Sequence, residues 1–153
     1  MANNRLSDLI HILVYIEMHD HKKLTSELIA SSLNTNPSLT RRMMGQLKRA
    51  GLLETTQGTA CPRLTRSPKE ITISDVYMAT CPDSPLLKVD KNTSKECQVG
   101  QVIPTILNKY YLEIQSTTES KMRKITIADI IDDVQMDIEH HQGRNKLFAE
   151  IDN

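Results

Sequence analysis

The chain has 153 residues, 39% of them apolar, and its nineteen Lys and Arg cancel its nineteen Asp and Glu; that is one ordinary domain, or a small domain with an extension. With no Trp, one Phe and seven Met, its core must be aliphatic, with methionine as an adaptable filler. No run approaches the roughly 20 apolar residues of a membrane span. The start MANNRLSDL lacks the basic and apolar regions of a secretory signal, and Cys61, Cys81 and Cys97, an odd number at irregular spacing, argue against a secreted disulfide framework. A cytoplasmic protein with no membrane partner is the expectation.

Residues 4–19 predict a first helix, with Leu6, Leu9, Ile10, Leu13 and Ile16 as its apolar stripe and Val14 widening it. His11 and His19 on this helix read as surface or satisfied residues rather than ligands. The stretch from Thr25 to Leu53 then reads as helix, tight break, helix and a strand start. Thr25 can cap the first of these helices, Glu27 puts negative charge in its first turn, and Leu28, Ile29 and Leu33 give it an apolar face. Asn34-Thr35-Asn36 breaks it. Asn36 is placed as the N-cap of the next helix and Pro37 suits its first turn, where a missing N–H costs nothing. Thr40, Met43, Met44 and Leu47 fall on the inward side, leaving Ser38, Arg41, Arg42, Lys48 and Arg49 outside, and Gly51 stands where a C-cap glycine belongs.

Past Leu53 the period changes. Residues 52–56 predict a short strand, 57–62 a turn and 63–66 a return strand, a hairpin that follows a helix-turn-helix as a wing would. Arg63 and Arg66 put cations on it. A short helix is expected from about Thr72 to Ala79. Its start, Ile71-Thr72-Ile73-Ser74-Asp75-Val76, is echoed by Ile125-Thr126-Ile127-Ala128-Asp129-Ile130. In both, a Thr stands at the N-cap with an Asp three residues on. The flanks differ, which favours two independent helix starts over a duplication.

Residues 80–98 read as a loop, long enough to be functional or mobile. Helical spacing resumes at 99–117 through Val102, Ile103, Ile106, Leu107, Tyr110 and Ile114, with Pro104 tolerated in the first turn. That apolar face needs cover, and a second copy of the chain or the core of the same domain would supply it. A last amphipathic helix is expected over 126–141. Its Glu139-His140-His141 does not make a tetrahedral metal site, because adjacent histidines point to different helix faces. The tail, with Leu147, Phe148 and Ile151, docks or frays.

Zero net charge argues against nucleic acid until it is mapped. Residues 1–70 carry ten Lys and Arg against six Asp and Glu, while residues 71–153 carry nine against thirteen. Within 36–69 there are seven basic residues and one acid, Glu54. DNA binding depends on a local patch that displaces counterions, not on the whole-chain sum. A solvated helix face explains Arg41 and Arg42 equally well when they are taken alone; the two-helix context favours DNA. The candidate DNA contacts are Thr25, Ser26, Ser38, Thr40, Arg41, Arg42, Lys48 and Arg63.

Taken together, Asn36-Pro37-Ser38-Leu39-Thr40-Arg41-Arg42, the run Leu47 to Leu52 (L-x-x-A-G-L), the glycine-bearing wing, the I-T-I-x-D-V helix start and Cys97 to Gly100 (C-x-V-G) leading into a long helix resemble the Rrf2 family of bacterial winged-helix transcription regulators. The resemblance covers nearly the whole chain. It implies a mainly α fold with a small β-hairpin wing, built as a winged helix-turn-helix domain (1–79), a loop that is a candidate sensory segment (80–98), and a dimerisation helix with a C-terminal helix (99–153). It further implies a homodimer joined through the helix near 101–118, and a palindromic operator in double-stranded DNA as partner. Members often repress, and several sense iron–sulfur status, nitric oxide or redox state. Cluster-binding members carry three close cysteines in the loop before the long helix. Here only Cys97 occupies such a place. Cys81 lies fifteen intervening residues earlier and Cys61 is in the wing, where the family has glycine or another small residue. The expectation is therefore no cofactor, with an iron–sulfur cluster disfavoured because a cluster needs converging thiolates.

Three classes of function remain distinct. The first is a dimeric DNA-binding regulator, a repressor by family likeness, with Cys97, Cys81 and Cys61 as candidate sensors. Cys97 leads them, because a cysteine at a helix start can react as thiolate. The second is a winged-helix module that binds protein or a small effector and no DNA, which neutral total charge and an acidic C-terminal half would suit. The third is a cysteine-nucleophile enzyme, but no His and acid accompany any of the three thiols in a recognisable catalytic pattern, so no enzyme is expected.

Overall fold

The computed structural model describes residues 4–20, 22–80, 82 and 85–151, and side chains as far as residue 144. Six helices and one hairpin follow in order: α1 (Arg5–Met18), α2 (Ser26–Ser32), α3 (Pro37–Arg49), β1 (Leu53–Glu54), β2 (Arg63–Leu64), α4 (Ile73–Ala79), α5 (Gln98–Met122) and α6 (Ile127–Ile151), with a single 3-10 turn at Pro68–Glu70 before α4. Cys81 and the side chains of Leu147, Phe148 and Ile151 lie outside the described residues.

Helix α1 is the centre of the core. Leu9, Ile12, Leu13 and Ile16 repeat at three- and four-residue spacing and are buried. Ile12, absent from the expected stripe, is wholly buried, while Leu6 and Ile10 sit at its margin. Against α1 pack Ile29 of α2, Met43 and Leu47 of α3, Leu52 and Leu53 at the wing, Ile71 and Val76 around α4, and Ile127 of α6. Each such side chain contributes about 1.5–3 kcal/mol by leaving water.

The helix ends follow their capping residues. Thr25 accepts from the Leu28 N–H at 3.3 Å and Asn36 Oδ1 from the Leu39 N–H at 2.8 Å, with Pro37 first in α3. Gly51 has φ +73°, the left-handed conformation that ends α3 and turns the chain into β1. One expected apolar position is corrected. Leu28 is 48% exposed, because seven-residue α2 turns Ile29 and Ala30 inward instead.

The hairpin is short and antiparallel, pairing Leu53 with Leu64 and Glu54 with Arg63. Thr65 braces its base, donating from N–H to the Leu52 carbonyl and from its hydroxyl to the Gly51 carbonyl. The Leu24 N–H donates to the Ala60 carbonyl at 2.7 Å, which ties the wing loop to the segment before α2.

The repeated Ile-Thr-Ile segments meet in space. Thr72 and Thr126 form an isolated antiparallel bridge; the Ile73 N–H donates to the Ile125 carbonyl at 2.9 Å, and the Ile127 N–H to the Ile71 carbonyl at 2.8 Å. Each Thr then opens a helix with its Asp. Thr72 and Asp75 form a reciprocal capping box, and Thr126 and Asp129 repeat the pattern. Ile71 and Ile127 are both wholly buried. Thus α6 returns to the head, where Ile127 and Ile131 join the same core cluster as α1. In this packing α6 touches α1 and the 3-10 turn before α4.

Helix α5 differs from the other helices in its burial. It is 25 residues long and none of its residues is buried. The preceding segment runs back along it as a strap. The Leu86 N–H donates to Gln115 Oε1, the Thr93 hydroxyl to the Gly100 carbonyl, and Gln101 Nε2 to the Lys95 carbonyl. A Cβ at Gly100 would collide with the Ser94 carbonyl, so glycine is what lets the strap close on the helix.

Candidate nucleic-acid interface

The second helix of the helix-turn-helix presents a polar face. Ser38, Arg41, Arg42, Lys48 and Arg49 of α3 are exposed while Met43 and Leu47 are buried. Thr40 is corrected: it has no exposed surface, and its hydroxyl donates to the Asn36 carbonyl at 3.1 Å, so it anchors α3 and does not reach a ligand. The helical turn that exposes Arg41 and Arg42 puts the flanking positions 40 and 43 on the core side.

Thr25, Ser26 and Arg41 come together in one cleft of about 430 Å³ between α2, α3 and the wing, with Lys23 and the wing residues Thr55 and Thr59 on its other walls. Lys48 Nζ donates to Thr55 Oγ1 at 2.8 Å, so this cation also fastens α3 to the wing. Arg63 is exposed on β2, in register with Glu54. Arg66, expected as a second wing cation, turns away from the cleft. Its Nη2 lies 3.3 Å from Asp75 Oδ2 and its Nε donates to the Glu70 carbonyl, holding the base of the wing to the start of α4. Lys23, Thr55 and Thr59 were not among the contacts expected from the sequence, and neither were two further members of the cleft. Glu27 Oε1 lies 3.6 Å from Arg41 Nη1, and half-buried Met44 lines the cleft. The spacing of Glu27 and Arg41 in the chain gives no signal of that pair, which depends on the angle between two helices.

Backbone N–H groups at a capped helix start, hydroxyls and a fork of guanidinium donors are the chemistry of phosphate positioning and base-edge contact. Together with a hairpin beside the second helix they define a winged helix-turn-helix DNA-binding protein. The Rrf2 family profile, described as an iron-dependent transcriptional regulator, matches residues 2–133, and the chain belongs to that family. It is 34% identical over 131 residues to YwnA, a candidate HTH-type transcriptional regulator of Bacillus subtilis (strain 168), with 86% of this chain and 97% of that one covered. A crystal structure of a candidate DNA-binding protein is similar at 33% identity and a TM-score of 0.67, covering 83% of this chain and 98% of that one. A candidate transcriptional regulator from Lactobacillus plantarum shares the fold, with a TM-score of 0.71 at 19% identity, covering 92% and 98%. The chain is thus a transcriptional regulator and not an enzyme.

The remaining predicted residues lie elsewhere. Val102, Ile106, Tyr110 and Ile114 of α5 are exposed and Ile103 and Leu107 half-buried. Cys61 is an exposed free thiol in the wing, and Cys97 is exposed as the N-cap residue of α5, its side chain making no cap bond. Cys61 and Cys97 stand on separate elements, and among the described residues no three His, Cys, Asp or Glu gather where a metal could bind. Among the same residues no helix is long and apolar enough to cross a membrane.

Proposed function

We propose that the protein is a cytoplasmic homodimeric repressor that reads a palindromic operator. The observation that carries this reading is the pairing of a cationic cleft on the head with an uncovered helix behind it. Ser38, Arg41 and Arg42 approach base edges and phosphates, Thr25 and Ser26 bring the start of α2 to a phosphate, and Lys48 and Arg63 extend the contact from the end of α3 and from the wing. Val102, Ile106, Tyr110 and Ile114 leave close to half or more of their surface open on α5. A second copy covers that stripe most economically, because the same patch serves both partners. Two heads about a twofold axis require half-sites spaced by about 34 Å or a multiple. Occupancy of an operator excludes other proteins, so repression needs no further machinery.

Replacing both Arg41 and Arg42 by Ala tests the reading head. Each lost phosphate contact lowers the log–log salt slope by about 0.9. Weaker binding with a shallower slope supports the reading, and an unchanged affinity and slope removes these residues from the interface. The same reading has no iron–sulfur cluster, since a cluster needs converging thiolates and only Cys97 of the three cysteines holds the family's loop position. Anaerobically purified protein is expected to be colourless, and cluster absorbance in the visible would contradict this. Of the two described thiols, both exposed, Cys97 at the start of α5 is the one through which a redox signal would act. Its selective alkylation should then alter operator binding, while alkylation without effect would exclude it as the sensor.

A further inference from the structure

We propose that Glu27 is a positioning residue that sheathes Arg41 and thereby suppresses binding to non-operator DNA; this rests on the DNA-binding reading of the cleft. Among the described residues that line that cleft Glu27 is the one acid, and it shares the lining with Lys23, Arg41, Thr25, Ser26 and Thr55. Its carboxylate stands at the second position of α2, just past the Thr25 cap. Oε1 lies 3.6 Å from Arg41 Nη1, beyond hydrogen-bond distance, and the two side chains are 66% and 59% exposed. An exposed pair of this kind adds little to folding stability. What it does instead follows from place. It sets a negative charge where the cleft would receive phosphates, and it gives Arg41 a partner in the absence of DNA.

Phosphate contacts are blind to sequence, while base-edge contacts are not. A carboxylate at the cleft therefore penalises every duplex through repulsion of its backbone. Arg41 held by Glu27 does not collect phosphates on random DNA. It leaves Glu27 where a base edge in register offers a bidentate partner that repays the separation, as guanine O6 and N7 do. Discrimination is a difference of affinities, and a built-in penalty on the wrong partner raises it.

The experiment compares wild type, Glu27→Gln, Glu27→Asp, Arg41→Ala and the Glu27→Gln/Arg41→Ala double variant on the promoter of the protein's own gene and on random duplex, across salt. Glu27→Gln should bind random duplex several-fold more tightly, with a log–log slope steeper by about 0.9, a further ~3.5-fold loss between about 50 and 200 mM salt. Promoter affinity should rise less, so the specificity ratio falls. Glu27→Asp keeps the charge and should retain most of the ratio. In the Arg41→Ala background the Gln substitution should gain less on random duplex, since Glu27 acts through Arg41. Weakened promoter binding with unchanged random binding would instead make Glu27 a reader of cytosine, whose amino group a carboxylate accepts, and would overturn the proposal. So would an unchanged ratio and slope. Wild type that binds neither duplex would overturn the DNA reading itself, and the Glu27 role with it.

Discussion

Asp129 shows how much a single exposed side chain contributes at a helix start. Its carboxylate accepts from the Thr126 N–H at 2.8 Å while its own N–H donates to Thr126 Oγ1 at 3.1 Å. The backbone hydrogen bond, then the side-chain bond, hold its carboxyl below the ordinary aspartate value. A carboxyl depressed on folding stabilises the fold above its unfolded value, and that stability is lost as pH falls through the folded one. Asp129→Asn should therefore lower Tm at neutral pH, with the deficit closing below the ordinary aspartate range; a pH-independent deficit would contradict this account. Glu17 runs the other way. Burial, then repulsion by Asp20, raises its carboxyl, so its ionisation weakens the fold as pH climbs past the ordinary glutamate value. At this scale, the features visible in the chain were those decided locally. Thr25, Asn36, Pro37 and Gly51 take up the roles their residue types announce, because a cap is satisfied within three residues. Thr40 falls inward as its helical spacing says, which removes it from the DNA contacts, and Arg66 was misplaced because a partner nine residues away decides it.

The Ile-Thr-Ile echo has a physical account at the scale of elements. Alternation puts Ile71 and Ile127 inward, the two threonines pair as a bridge, and each segment launches a capped helix. The likeness of the two helix starts was plain in the sequence, but their pairing across more than fifty residues was not, since no local signal encodes it. By this pairing α6 closes the core of the head. Ile127→Ala should cost about 2–5 kcal/mol in urea unfolding, as other buried Ile→Ala changes do, whereas a cost under about 0.5 kcal/mol, the range of surface substitutions, would detach α6 from the head. Helix α5 and its strap depend on a second close approach. Gly100→Ala should lift residues 93–97 off α5 and speed proteolysis within 85–97, without lowering the stability of the head core. Unchanged cleavage would show that the strap closes without the glycine. The 80–98 loop read as functional or mobile because it lacks periodicity; its order here comes from bonds to Gly100, Gln101 and Gln115, which no pattern in the loop itself predicts.

On the scale of the whole molecule, two properties were legible from the chain for different reasons. Charge could be counted, and the count by segment located a basic reading head in a neutral protein. Apolar periodicity on α5 could be seen, but nothing local to the helix says what covers it. Ile106→Asp would place a charge in the middle of that stripe. It should convert dimer to monomer in sedimentation while leaving the far-ultraviolet spectrum of the head intact, and a dimer that persists would move the interface elsewhere. The most direct test of the account is fluorescence anisotropy of the wild-type protein on the promoter of its own gene, titrated across salt and followed by stoichiometry. The account predicts competable binding by two protomers per operator, with affinity falling steeply as salt rises. Binding that no specific duplex competes away, or none at any salt in both reduced and oxidised protein, would contradict it and leave a winged head that binds something other than DNA.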